Sequence, residues 1–489
     1  METPICDFVR DYAESGTLRL HMPGHKGEPV LGMESLDITE IRGADSLYEA
    51  DGIIARSEAN ASRVFGCRTL YSTEGSSQCI RAMLYLVRLW AVQQGRGPRI
   101  AAGRNAHKTF LTAAGLLDLQ VDWLWPRGEG SYLSCVLTPE DVQAYLESAP
   151  ELPGAVYLTS PDYLGNVADI RGIAAVCHRF GVLLAVDNAH GAYLKFLRPS
   201  RHPMDLGADI CCDSAHKTLP VLTGGAYLHL SDDLDKAVGA QAKNAMMLFG
   251  STSPSYLILQ SLDRANPRLA DYPERLEALI PRLDALKSRL QAAGYRLYGE
   301  EPLKLTIEAK ARGYTGGELA DLLRRRGIEP EFADPDYLVL MFSPEMRGET
   351  VENLERVFLE IPPKSPIGEA APRMVLAEGA MSIREAMLAP SELLPAGACL
   401  GRILAVPTVG CPPAVPIVVC GERIDEHALA CFSYYGIEKC CVVKEGGDDG
   451  FWKAGLWLFA PAPEQRRDGG PGNHEKDGGS LPFPGFSLL

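Results

Sequence analysis

"DSAHKTLPVLTGGAYLHL" (213–230) sets a lysine, Lys217, between two apolar runs. Ala208, Ile210, Cys211 and Cys212 precede it; Gly224, Gly225 and the run "GAYLHL" (225–230) follow. Such a lysine stands where a strand enters a Gly-rich turn. Burial at a strand end lowers the pKa of an amine and makes it a nucleophile toward an aldehyde.

Working outward, the chain alternates strand and helix patterns from 69 to 230. Strands are expected at 68–73, 99–103, 121–125, 155–160, 182–187, 208–214 and 225–230, with helices at 76–93, 107–117, 139–148 and 171–180. Strands alternating with helices imply crossover connections and a mainly parallel α/β sheet. Ligands then bind beyond the carboxyl ends of the strands. Thr73 to Ser77, His107, Thr159 to Tyr163, Asp187 to His190 and Ser214 to Lys217 all fall there.

The flanks suggest further blocks. Residues 1–50 read as an irregular N-terminal arm, 51–270 as the large domain and 271–365 as a small α+β domain. A third block spans 366–445, and 446–489 reads as a disordered tail because it is rich in Gly, Asp and Pro and loses periodicity. In "DYPERLEALIPRLDALKSRLQAAG" (271–294), Leu276, Leu279, Leu283, Leu286 and Leu290 share one helix face, and Pro281 should bend it.

An aldehyde cofactor held on a lysine needs a phosphate cradle, a carboxylate for its ring nitrogen and a flat group on its ring face. "STEGSSQ" (72–78) offers the cradle: Gly75 permits a tight turn, and Ser76 and Ser77 open a helix whose free N–H groups attract anions. Ser214 can add a hydroxyl. Asp187 ends an apolar strand, where a carboxylate is costly unless it meets a cation such as a protonated pyridine. His107, in "GRNAHKT", follows a strand and can stack; His190 and His216 are further candidates. The shared strand-end placement of these groups points to pyridoxal 5'-phosphate on an aminotransferase-like, fold type I large domain.

Longer stretches make the pattern specific. "HMPGHKG" (21–27), "DITEIRGADSLYEADGII" (37–54), "SPDYLGNVADI" (160–170), "VDNAHGAY" (186–193), "STSPSYLILQSLD" (251–263), "AMSIREAMLAPSE" (380–392) and "CPPAVPIVVCGERI" (411–424) join the segments already quoted. Together they resemble the Orn/Lys/Arg decarboxylase family in its short form, without an N-terminal receiver-like domain. The resemblance implies that Lys217 condenses with the cofactor, Asp187 pairs with the pyridine nitrogen and His107 stacks on the ring. It further implies that Ser76, Ser77 and Ser214 contact the phosphate, that His216 lies beside the cofactor and that Thr252, in "STSPS", reaches a phosphate in a neighbouring subunit of a homodimer. Two positions depart from the family's pattern: Glu74 stands where Asn or Gln is usual, and Asn188 where Glu is frequent. Glu74 is expected to turn toward substrate.

The expected reaction is decarboxylation of arginine, lysine or ornithine in polyamine metabolism. A basic side chain needs a distal carboxylate, for which Glu74, Asp51, Asp162 and Glu331 are candidates. The competing readings are an aminotransferase or lyase on the same fold, and a non-catalytic relative. Composition bounds the rest. The 489 residues predict two to four domains, and the net charge of −15 gives no basic face for nucleic acid and no attraction to an anionic membrane. No run approaches the roughly 20 apolar residues that span a bilayer. Thirteen scattered cysteines without a C-x-x-C motif fit reduced thiols in a cytoplasm and no metal site.

Overall fold

Seven short strands form the central sheet: β1 (Arg68–Ser72), β2 (Arg99–Gly103), β3 (Gln120–Leu124), β4 (Ala155–Thr159), β5 (Leu183–Asp187), β6 (Ile210–Asp213) and β7 (Ala226–Leu230). Their spatial order is β1-β7-β6-β5-β4-β2-β3. The run from β6 through β5, β4 and β2 to β3 is parallel, and β7 pairs antiparallel with both β6 and β1. The computed structural model describes residues 1–126, 131–408 and 415–445, and Met1–Lys444 forms one compact unit. The expected tail at 446–489 lies outside the described residues.

Alternation along the strands builds the two layers. Leu183 and Ala185 of β5 join one core, while Leu184 and Val186 join another on the opposite face. The first core takes α2 (Ile53–Phe65), α3 (Gly75–Gln93) and α4 (Lys108–Leu116); the second takes α5 (Pro139–Ser148) and α6 (Ile170–Arg179). Helix starts follow local chemistry. Thr138 and Asp141 form a capping box on α5, and the Asp169 side chain caps α6. Lys217 lies on a single helical turn, α7 (Ala215–Thr218), between β6 and β7.

The arm is not wholly irregular, as the sequence suggested. It contains α1 (Pro4–Glu14), whose Ile5 and Cys6 amides donate to the Asp263 carboxylate at 3.0 and 2.9 Å. Asp263 belongs to a helix over Tyr256–Arg268, within and beyond the motif read as a phosphate contact. The helix Tyr272–Ala292 runs on through Pro281 and buries the five predicted leucines. An antiparallel four-stranded sheet follows, formed by β8 (Leu297–Tyr298), β9 (Lys304–Glu308), β10 (Phe332–Ala333) and β11 (Tyr337–Met341). Farther on, β12 (Ser391–Pro395) pairs with β13 (Lys439–Val443). A third core unites Tyr132 and Cys135 with Leu404, Val415, Ile417, Val418 and Phe432. Among the described residues every cysteine is free, and no helix is long and apolar enough to cross a membrane.

Candidate active site

The carboxyl ends of β2, β4 and β5 open onto a cavity of about 590 Å³. Ser76, His107, Asp162, Asp187, His190 and Lys217 all line it. Its volume suits a small-molecule site, which typically spans roughly 300–1,000 Å³.

Lys217 is half-buried, and its Nζ lies 3.0 Å from Nε2 of His190. Burial lowers its pKa, against the opposing pull of Asp187. His190 is buried, and its pKa is pushed well below the ordinary imidazole value by that burial and then by Lys304 and Lys217. Neutral His190 can therefore accept a hydrogen bond from the lysine amine. That assignment leaves the ring proton on Nδ1, which finds no partner among the described residues.

Asp187 is 2% exposed. Tyr157 donates its hydroxyl to Oδ2 at 3.1 Å, and the Ala189 amide and Cys212 thiol donate to Oδ1 at 3.1 and 3.6 Å. Among the described residues no cation pairs with this carboxylate. A buried carboxylate facing a cavity with only neutral donors is poised to meet a cation there.

The phosphate-loop candidate is stitched to the lysine turn through the backbone. Gly75 adopts φ +71°, and its amide donates to the Gly224 carbonyl at 2.7 Å. Gly224 adopts φ +97°, and a Cβ there would stand 2.8 Å from the Thr73 carbonyl oxygen. At the start of the 19-residue α3, Ser76 Oγ accepts from Ser214 Oγ at 2.8 Å. Apart from its chain neighbours and its own helix backbone, nothing lies within 4 Å of where a Cβ on Gly75 would be. The result is an open cradle with paired hydroxyls at a positive helix end.

His107 caps α4: its Nδ1 accepts from the Thr109 amide at 3.2 Å, and Thr109 Oγ1 lies 2.9 Å away. The ring is thereby fixed on the cavity wall, within the cleft rather than out in bulk solvent. Burial lowers its pKa, opposed by Asp187.

Other candidates stand elsewhere. Ser77 Oγ pairs with Thr109 Oγ1 at 3.2 Å, outside the lining. His216 also lies outside it, with Nδ1 3.0 Å from the Gly225 carbonyl oxygen and its pKa lowered by burial. Thr252 is exposed and does not line the cavity. Glu74 does not turn toward the cavity as expected; it is exposed and accepts from the Ser251 amide. Asp51 is exposed as well, and its amide donates to Asp45. Asp162 faces the cavity but is already saturated, accepting from Ser134, the Leu164 amide, and the Asn166 amide and side chain at 2.7–3.1 Å. Glu331 is exposed and accepts from Tyr163, a lining residue, at 3.3 Å. Asn188 donates to Asp213 at 2.7 Å, facing away from substrate chemistry.

The sequence reading missed Tyr157 and the wall residue Phe332, placed Tyr163 at a strand end without giving it a role, and missed the C-terminal contributions Thr408, Val415 and Pro416. Strand alternation carried a signal for the first, because Tyr157 and Thr159 share a face of β4. The last two belong to the "CPPAVPIVVCGERI" stretch, whose 411–414 lie outside the described residues.

An unmatched buried carboxylate, an adjacent amine of lowered pKa, an open hydroxyl-lined helix start and a fixed imidazole together fit pyridoxal phosphate. Comparison with known proteins agrees. The chain is 29% identical over 465 residues to the arginine decarboxylase of Bacillus subtilis (strain 168), covering 88% of this chain and 92% of that one. It is likewise 29% identical to the arginine decarboxylase of Halalkalibacterium halodurans, with the same coverage. The Francisella novicida lysine decarboxylase LdcF shares the fold with a TM-score of 0.74 at 17% identity, over 90% of this chain and 81% of that one. Residues 3–293 match the Orn/Lys/Arg decarboxylase major domain, so the chain belongs to the Orn/Lys/Arg decarboxylase family, the pyridoxal-phosphate enzymes that decarboxylate basic amino acids.

Proposed function

We propose that this enzyme decarboxylates arginine, and that the resulting amine feeds polyamine metabolism. The observation carrying the choice of arginine is the 29% identity to the Bacillus subtilis arginine decarboxylase along 88% of the chain. The cavity mouth supports it. Tyr163 and Phe332 meet edge to face with ring centres 4.9 Å apart, beside the exposed Glu331. A planar cation can rest on aromatic faces and take a two-point contact from a carboxylate, whereas an ammonium is a point charge.

Bound pyridoxal phosphate supplies the aldehyde that takes the substrate's α-amine and the ring that accepts the electrons released with CO2. The protein does the rest. Asp187 would favour a proton on a ring nitrogen set against it. His107 would present its flat face to the ring, and Ser76 and Ser214 would offer their hydroxyls to the phosphate. Lys217, with neutral His190 at 3.0 Å, can carry a proton to and from the reacting carbon. Apolar Ile80, Leu133, Val415 and Pro416 line the cavity and limit water around the departing carboxylate.

Incubation of the holoenzyme with arginine, lysine or ornithine, followed by identification of the amine, tests the reading. Arginine should give the highest kcat/KM; a clear preference for lysine or ornithine refutes that choice. We also propose a homodimer. Leu18, Leu20, Val30 and Leu31 expose large apolar side chains along the arm, a surface suited to a second copy. Sedimentation as a monomer at micromolar concentration would refute it.

A further inference from the structure

Arg104 and Glu422 are 318 residues apart and form a bidentate pair with contacts of 2.8 and 2.6 Å. The arginine side chain is 1% exposed and the glutamate 8%. The guanidinium carbon sits 5.0 and 5.5 Å from the ring centres of Trp123 and Trp125. Such a pair is rigid: two parallel hydrogen bonds fix its angle, and the indoles fix its plane.

Each end of the pair leads to the cavity. Arg104 immediately precedes Asn105, Ala106 and His107, all lining residues. Glu422 also accepts the Val419 amide at 2.9 Å, in the segment that brings Val415 and Pro416 to the cavity. The Val415 amide donates to the Tyr132 carbonyl at 2.7 Å, next to Leu133 and Ser134 of the same wall. One ion pair thus ties the His107 loop to the wall formed by the C-terminal segment.

We infer that Arg104 and Glu422 are positioning residues that set this wall against the substrate. The inference rests on the decarboxylase reading for its substrate term. The pair touches neither the reacting atoms nor the cofactor groups, so it acts on substrate fit and on water entry. Buried ion pairs can often be replaced by apolar residues without loss of stability. A purely structural role would therefore be relieved by removing both charges, whereas a positioning role would not.

The test compares holoenzyme of wild type with Glu422→Gln, with the double variant Arg104→Met/Glu422→Met, and with Arg104→Lys. In the double variant KM should rise at least about tenfold while kcat stays within about threefold, the signature of lost substrate binding. Borohydride should also reduce the bound cofactor chromophore at least about threefold faster, because a loosened wall admits small solutes. A folded double variant with wild-type KM and wild-type reduction rate overturns the inference, as does a fall in kcat at unchanged KM. If the double variant does not fold, Arg104→Lys decides by the same readouts, since it keeps the charge but loses the two-point contact. The reduction rate needs no amino acid. A wild type that releases no CO2 from any basic amino acid therefore refutes the decarboxylase reading while leaving the wall test intact.

Discussion

Lys217 Nζ and His190 Nε2 stand 3.0 Å apart, and burial makes the charged form of each unfavourable. The neutral amine is the form that attacks an aldehyde. Cofactor capture by the apoenzyme should therefore rise with pH through a midpoint below the ordinary lysine value of 10.5. Asp187 opposes the shift, so Asp187→Ala should move the midpoint lower still. Stopped-flow absorbance during reconstitution reads both; a midpoint at or above 10.5 would contradict the assignment.

Asp187 should matter more for turnover than for folding. Asp187→Ala is expected to cut kcat/KM by about 100-fold or more, the scale of losing one preorganised electrostatic partner. Steady-state kinetics at saturating cofactor will show it. A tenfold or smaller loss would assign the ring proton to another group.

The paired hydroxyls of Ser76 and Ser214 give a graded expectation. Hydrogen bonds to a charged group contribute about 1.5–3 kcal/mol each, so Ser76→Ala should weaken cofactor affinity by about 10- to 100-fold. Equilibrium dialysis of the cofactor measures it. Ser77→Ala should change affinity less, because Ser77 faces Thr109.

Asp162 and Glu331 separate by kinetics. Glu331→Gln should raise KM and leave kcat nearly unchanged if it holds the distal cation. Asp162→Ala should lower the unfolding midpoint, since it strands the amides and hydroxyl that the carboxylate now satisfies.

A stability test lies beneath the site. Asp213 is fully buried between His202 and His229, at 3.0 and 3.1 Å. Burial alone would raise its pKa, but the two imidazoles hold it well below the usual carboxylate range. Its stabilisation is therefore complete above 3.8 and lost as pH falls from there through the folded value. Burial alone would lower His229, but Asp213 raises it, so its share is complete below 6.5 and lost as pH rises through its folded value. Asp213→Asn should cost about 3–5 kcal/mol in the window between, as for any broken buried pair. Urea melts at several pH values will show the window; a flat difference across pH would contradict it.

Local pattern sufficed for the large sheet. All seven expected strands form, because apolar alternation and Gly-marked turns are short-range signals. The cavity's chemistry was legible where it sat at strand ends, as with Lys217, Asp187, His107 and Ser76. Long-range partners were not. The start of α1 is held by Asp263, 258 and 257 residues away, and no local cue in "METPICDFVRDYAESG" announces that cap. Arg104 and Glu422 are as remote from each other. Glu74 looked suitable by charge and spacing alone, and only the turn at Gly75 shows it exposed on the other side.

The bond from Gly75 to Gly224 has a consequence for how such a chain can change. It makes one backbone unit of the anion cradle and the lysine turn, so the span between those two anchorage points is a fixed gauge independent of any side chain. Residues at the mouth can be exchanged to suit a longer or shorter guest without altering that gauge, whereas a methyl group added at position 224 would spoil both anchorages together.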